Sequence, residues 1–313
     1  MKRLVVLGLV VLCVGFCSGD VLAQTGDDPD HDNLTTLEEQ SIGTDPWVTD
    51  TDRDGIGDGT EVAKNTDPLD PGSKPSDISL STYYRWWVTD VIPGAFSVVW
   101  MANREASCFA NVYSDPEGND LIMDLTIIDE SALHPPAGQE GVMKVRVSGL
   151  RPDTTYYFRR VTISNEVVLV EPATGPLPSV TTELTSVVVG NDFLRHKVLM
   201  SDGSTPAEGA LLLADVEGGS YPITGWVGDG IAAPDVLLNL KNVYSAAEHK
   251  NMELLGGEPI TLESIGGLMG FRRLSGVVPA RSGGIQTLAP KPSDEECTLQ
   301  MMVRPRGLRI ERR

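Results

Sequence analysis

Cysteine, positive charge and long apolar runs are scarce in this chain, and each scarcity excludes something. The 313 residues hold four cysteines. Cys13 and Cys17 lie in an N-terminal stretch that reads as a removable leader, which leaves Cys108 and Cys297. One pair is no disulfide framework, and whether the two join or stay as buried thiols is open at this level. Lys and Arg number 25 against 44 Asp and Glu, a formal net charge of −19. That balance argues against nucleic acid or an anionic membrane surface as a partner. Beyond the leader no segment is apolar enough to span a bilayer. Catalytic fingerprints are missing as well: no H-E-x-x-H, G-x-S-x-G, P-loop or dinucleotide loop is present, and His31, His134, His196 and His249 are dispersed. His249 and Glu253 stand at helical i,i+4 spacing, which reads as surface chemistry. Cys108 sits in a strand pattern with no base beside it.

What is present begins with MKRLVVLGLVVLCVGFCSGDVLA. Two basic residues, an apolar run of about a dozen and a small-residue site predict a secretory signal at residues 1–23, cleaved after Ala23. Neither Leu12 before Cys13 nor Phe16 before Cys17 is the small residue a lipid-modified cysteine requires. The expected mature chain is exported and soluble, or held at a surface through partners. Its length suggests two or three domains, and 32 Gly and 21 Pro imply many turns. The charge is uneven: residues 24–76 carry 14 Asp or Glu against Arg53, Lys64 and Lys74, which predicts a separate module.

That acidic segment is an internal repeat. DPDHDNLTTLEE (Asp28 to Glu39) aligns with DTDRDGIGDGTE (Asp50 to Glu61) at an offset of 22 residues, and Thr44-Asp45-Pro46 aligns with Thr66-Asp67-Pro68. Both copies fit the spacing D-x-D-x-D-G-x-x-D-x-x-E. Positions 1, 3 and 5 are Asp28, Asp30 and Asp32, then Asp50, Asp52 and Asp54. Position 6, which tolerates positive φ, offers Asn33 and Gly55; position 7, a backbone carbonyl, offers Leu34 and Ile56. Position 9 is Thr36 or Asp58, and position 12 is Glu39 or Glu61. Alternate oxygens of a tight loop suit calcium, a hard cation that takes six to eight oxygens at about 2.3–2.6 Å. Magnesium is stricter about geometry, and zinc would seek His or Cys, of which only His31 is near. The alternative is a solvated acidic linker in which Thr36-x-x-Glu39 and Asp58-x-x-Glu61 are capping boxes. Two copies in register favour calcium.

The blocks GTDPWVTDTDRDGIGDGTEVAKNTDPLDP resemble thrombospondin type 3 repeats of the bacterial kind. The resemblance covers Asp28 to about Pro71 and implies a segment wrapped around calcium with little regular secondary structure. It also makes Asp45 and Asp67 candidate extra ligands, while Asn33 and Thr36 depart from the pattern in the first copy. A dockerin also pairs loops at this spacing, but it needs a helix of some ten residues after each. Val62, Ala63 and Lys64 before Asn65 leave no room for one.

From about Ile78 short β runs take over: AFSVVWMA, SCFANVYSD, GVMKVRVSGL and TYYFRRVTI, parted by turn residues, predict an antiparallel sandwich. In KVRVSGL, Val145 and Val147 alternate with Lys144, Arg146 and Ser148, the pattern of a half-buried strand. LRPDTTYYF resembles the late strands of a fibronectin type III domain, and Trp100 matches that family's core tryptophan. The resemblance covers residues 77–183 and implies that Tyr156 bonds to nearby backbone while Trp100 fills the core; neither role is catalytic. Arg85-Trp86-Trp87 reads as packing and an interdomain wedge rather than a sugar platform, and there is no RGD tripeptide. Residues 184–290 read as a second β-sandwich. SVVVGN, HKVLM, ALLLADV, DVLLNL and EPITLESIGG are its strands, Asp229-Gly230 a turn, and Leu237, Leu238 and Leu240 its core. SDGSTPAEGALLLADV resembles the prealbumin-like, carboxypeptidase-regulatory sandwiches through one hairpin. Residues 291–313 read as an untied Pro/Arg-rich tail.

The expected fold is mainly β: two immunoglobulin-like or fibronectin III-like sandwiches preceded by a calcium-wrapped, loop-rich repeat. The expected function is a secreted, non-enzymatic calcium-binding protein whose repeat spaces two binding or adhesive modules, with an unknown protein or glycan of the cell surface or matrix as partner. Two alternatives stand beside it: an accessory module of an extracellular enzyme system, and a hydrolase within residues 185–288.

Overall fold

The computed structural model describes residues 27–75, 79–165, 167–184, 192–200, 204–228, 235–279, 289–290 and 308–311. The fold is mainly β, with several antiparallel sheets. The first group of strands is β1 (Thr82–Ile92), β2 (Ala95–Ala102), β3 (Ser107–Tyr113), β4 (Thr126–Asp129), β5 (Val142–Ser148), β6 (Thr155–Ser164), β7 (Val167–Glu171) and β8 (Ser179–Thr181). They form one sheet in the order β1-β2-β5-β4 and a second in the order β3-β6-β7, with β8 also on β6. This is the four-plus-three strand order of an immunoglobulin-type sandwich. Trp100 is fully buried between the sheets, its indole N–H donating to Thr162 Oγ1 at 2.9 Å. The Tyr156 hydroxyl accepts the Arg151 N–H at 2.9 Å and so ties the approach to β6 down on its own strand. A Tyr156→Phe change leaves that amide without its acceptor and should cost about 1 kcal/mol in urea unfolding; an unchanged midpoint would mean water replaces the hydroxyl at no cost.

The second group comprises β9 (Phe193–Met200), β10 (Leu211–Val216), β11 (Ile223–Trp226), β12 (Asp235–Asn239), β13 (Pro259–Ile265), β14 (Phe271–Val277), β15 (Ala289–Pro290) and β16 (Leu308–Glu311). One sheet runs β11-β10-β13-β14-β15, the other β12-β9-β16. Leu194, Val198, Leu212, Val236, Leu238 and Leu262 fill the space between them. Leu238 and Leu240 are buried, whereas Leu237 is half-buried because it points away from this core. Within the segment expected to be untied, Leu308–Glu311 is an edge strand on β9, with Ile310 opposite Val198. SVVVGN, Asp229-Gly230 and Cys297 lie outside the described residues.

The two sandwiches share a face, so the order is four sheets deep. Val99, Met101 and Val142 of the first meet Leu211, Leu213, Trp226, Ile265 and Phe271 of the second in one cluster. Hence β2 is buried at every residue: Phe96, Val98 and Trp100 face one core, Val99 and Met101 the other. The same doubling explains the unbroken Leu211-Leu212-Leu213 of β10. It also corrects the half-buried reading of β5 at one position, since Val145 and Val147 enter the core and Arg146 and Ser148 stay partly exposed as expected. Lys144 is buried, because its face of the sheet is covered rather than wet, and its Nζ lies 2.7 Å from Glu130 Oε2 and 3.2 Å from Asp90 Oδ2. Asp90 in turn accepts the Thr224 N–H at 2.8 Å from the second sandwich. Trp86 turns into the first core, edge-on to Phe158, and Trp87 packs against the shared cluster beneath the Arg85 guanidinium.

The acidic segment does not stand between the sandwiches as a spacer; it docks across their seam. Trp47 O accepts from Phe271 N at 3.1 Å and from an Arg272 guanidinium nitrogen at 3.2 Å, and Arg272 also lies over the Trp47 ring. His31 meets Phe271 edge-on, and its Nε2 is 2.7 Å from Arg85, which grips Glu263 with two bonds of 2.8 and 3.0 Å. Gly270, at φ +101°, permits this approach, since a Cβ there would fall 2.5 Å from Trp47 O.

Candidate metal centre

The 22-residue repeat in sequence is a 22-residue repeat in conformation. His31 and Arg53, Asn33 and Gly55, and Gly43 and Asn65 are pairs at that offset, and all six adopt positive φ. Asp28 accepts the amides of His31 and Asn33 at 2.8 and 3.2 Å; Asp50 accepts those of Arg53 and Gly55 at 2.7 and 2.9 Å. Asp30, Asp32, Asp52 and Asp54 each accept the N–H two residues on, so every carboxylate also shapes the loop that carries it. Each loop then runs into a seven-residue helix, α1 (Thr36–Ile42) or α2 (Asp58–Lys64). The repeat therefore has more regular structure than expected, though the helices are shorter than a dockerin's.

The capping boxes that the alternative linker reading placed at Thr36 and Asp58 are absent. Thr35 is the true N-cap of α1, with Glu38 its reciprocal partner, while the Thr36 hydroxyl donates to Asp27 O at 3.2 Å. The first residue of α2 is Asp58 itself, behind an N-cap Gly57 that offers no side chain. The tripeptides Thr-Asp-Pro have a structural reason the spacing did not reveal. Thr44 and Thr66 hydroxyls donate to Glu39 Oε1 and Glu61 Oε1, both at 3.3 Å. Asp45 and Asp67 accept the amides of Trp47 and Leu69 and start the next turn. Neither belongs to the acidic groups described next.

Among the described residues three carboxylate groups form, each with oxygens within 4.8 Å of one another: Asp28, Asp30 and Asp32; Asp32, Glu39 and Asp58; and Asp50, Asp52 and Asp54. Loop spacing assigns Asp58 to the second copy, but its carboxylate points at the first. Thr51 N–H and Oγ1 hold it at 2.9 and 2.6 Å, and Asp58 N–H donates to Thr49 O at 2.7 Å. Leu34 and Ile56 are buried beside their loops. Glu61 sits near the second group, where Asp54, Asp52 and Asp50 repel it.

The fit to a hard cation follows from unmet bonding. Asp30 Oδ2, Glu39 Oε2, Asp52 Oδ2 and Glu61 Oε2 are buried with no hydrogen-bond partner. Buried acceptors are ordinarily paired, and leaving one unmade costs about 1–3 kcal/mol, more if charged. Burial first, then neighbouring carboxylates, raises Asp30 well above the usual range and Glu39 to about 9. Burial likewise lifts Asp32 and Asp50 to about 7, Asp58 to about 8 and Glu61 to about 7. An all-oxygen set of this density suits calcium rather than zinc. The Tyr83 hydroxyl, from β1, is buried between the loops, and burial together with Asp32, Asp30, Asp50 and Asp58 holds it protonated.

Among the described residues, the other candidates do not assemble into a site. Cys108 is a buried free thiol whose Sγ donates to Asp129 Oδ1 at 3.0 Å; burial and that carboxylate push it up, away from nucleophilic use. Asp129 is thus the neighbour that the sequence did not reveal. His249 pairs with Glu183 at 3.3 Å rather than with Glu253, because the chain turns there at φ 54° and forms no helix.

Residues 50–71 match the family model for the bacterial TSP3 repeat. Such repeats are calcium-binding extracellular modules, and this segment carries the acidic clusters of that kind. No curated protein matches the chain. No helix among the described residues is long and apolar enough to cross a membrane.

Proposed function

We propose that this protein is exported and non-enzymatic, that calcium bound by the repeat at 28–61 locks it onto the two sandwiches, and that the sandwiches bind a surface or matrix component. The observation that carries the reading is the set of buried, partnerless carboxylate oxygens in a segment matching a calcium-binding repeat. The residues that would hold calcium are Asp28, Asp30, Asp32 and Glu39, with Asp50, Asp52, Asp54 and Glu61, and with Asp58 between the loops. Bound calcium would supply positive charge and the missing ligands; this chain's part is to preorganise the oxygens. A structural role for the first sandwich, of the fibronectin III-like kind, is supported by the buried Trp100 and the Tyr156 bond.

Binding, rather than catalysis, is supported by surface chemistry. Phe109, Ile163 and Val168 lie exposed on the outer face of the β3-β6-β7 sheet, with Ile163 directly opposite Val168. A groove of about 620 Å³ between repeat and sandwiches is lined by Arg53, Glu140, Glu208, Met200 and Met269 among others. The accessory-module reading shares all these features and differs only in the partner.

Calcium titration of the full mature chain tests the reading. Saturable heat with a rise in melting temperature is expected. Asp50→Ala and Asp54→Ala should each lose at least one bound ion, counted by native mass spectrometry. Absence of binding at millimolar calcium would reduce the segment to an acidic clasp.

A further inference from the structure

We propose that the two repeats share one calcium position, framed by Asp32 and Glu39 of the first and Asp58 of the second, so that the first repeat's site is incomplete without the second. The inference rests on the calcium-binding reading above and deepens it, because loop spacing alone would give each repeat its own ligand set.

Geometry sets Asp58 across the boundary. Its carboxylate oxygens lie within 4.8 Å of those of Asp32 and Glu39, and it is absent from the group formed by Asp50, Asp52 and Asp54. All three framing side chains are essentially inaccessible: Asp32 is 1%, Glu39 0% and Asp58 0% exposed. Glu39 Oε2 is buried and has no hydrogen-bond partner, while its Oε1 is held by Thr44. Among the described residues, no Lys or Arg pairs with any of the three. Three carboxylates in one water-poor space with an unmet oxygen call for a cation of high charge and oxygen preference.

The seam that creates this position is built for close approach. Gly59 N–H donates to Asp32 Oδ2 at 2.7 Å, and a Cβ on Gly59 would fall 2.1 Å from Asp32 O. Thr49 Oγ1 donates to Asp30 O at 3.3 Å, and Thr51 holds Asp58 in place. The second repeat thus positions a ligand for the first repeat's loop, and filling the shared position requires both to be folded. Binding at the first repeat therefore depends on the fold of the second.

Calorimetric titration of the full chain in paired backgrounds tests this. Asp52→Asn disables the second loop's own group, so the binding that remains belongs to the first. Adding Asp58→Asn there should weaken it by at least about tenfold, the change expected from removing a charged ligand. In an Asp30→Asn background, where second-loop binding remains, Asp58→Asn should change affinity by less than about threefold. Unchanged affinity in the Asp52→Asn background would overturn the proposal while leaving the calcium reading intact; no binding by the wild-type chain would defeat both. Should a variant fail to fold, wild-type crystals loaded with terbium decide the matter. An anomalous peak in contact with Asp32, Glu39 and Asp58 supports the shared position. Peaks confined to the Asp28–Asp30–Asp32 and Asp50–Asp52–Asp54 groups overturn it.

Discussion

Calcium should raise the melting temperature of the full chain far more at pH 8 than at pH 5. The sign follows from the raised carboxylates. In the ion-free fold Asp32, Asp50 and Glu61 titrate at about 7, Asp58 at about 8 and Glu39 at about 9, against ordinary values of 3.8 for Asp and 4.5 for Glu. Between the unfolded and folded values the native state holds protons that the unfolded chain has released. Its stability is therefore full below about pH 4 and is lost as pH rises through 7 to 9. Calcium competes with those protons, so its binding strengthens over the same window. Each site filled at a hundredfold over its dissociation constant adds about 2.7 kcal/mol. Melting curves with chelator and with calcium, at both pH values, check this. An equal calcium shift at pH 5 and pH 8 would mean the carboxylates are not the ligands.

A comparable loss should follow from Lys144→Ala. Its ammonium lies 2.7 Å from Glu130 and 3.2 Å from Asp90, and although burial opposes its charge, the two carboxylates prevail and raise its pKa. Removing it strands two buried or half-buried carboxylates, for which about 3–5 kcal/mol is typical. Asp90 also receives the Thr224 amide from the second sandwich, so the damage should reach across the shared face. Urea unfolding measures it. A cost below about 1 kcal/mol would show that water reaches this face.

The repeat was legible because its carboxylates are local: a loop places oxygens by its own backbone, and the 22-residue offset survives intact from Asp28 and Asp50 to Gly43 and Asn65. The first sandwich was legible for a related reason, since strand periodicity and turn residues are read within a few positions. What the sequence hid lies across distance. Asp58 obeys the spacing of its own loop yet lies with Asp32 and Glu39 of its neighbour, because Gly59 lets two backbones meet in a way no spacing encodes. Lys144 looked solvent-facing because alternation reports the pleat and says nothing of what covers the far side. The helix cap at Thr35 was missed by one residue, since either of two adjacent threonines satisfied the pattern. Edge strand Leu308–Glu311 was hidden in an arginine-rich, polar context, where a partner about 110 residues away decides the conformation.

The double burial of β2 and β10 changes what a domain boundary means in this chain. A cut near residue 184 divides the topology cleanly, because no strand order crosses it. Energetically it divides nothing. Separated halves would bare Val99 and Met101 on one side, and Leu211, Leu213, Trp226 and Phe271 on the other, as a broad greasy plane. Neither half should stand alone, and the expected melting unit is the whole stack of sheets rather than either sandwich, so a single calorimetric transition is the predicted outcome.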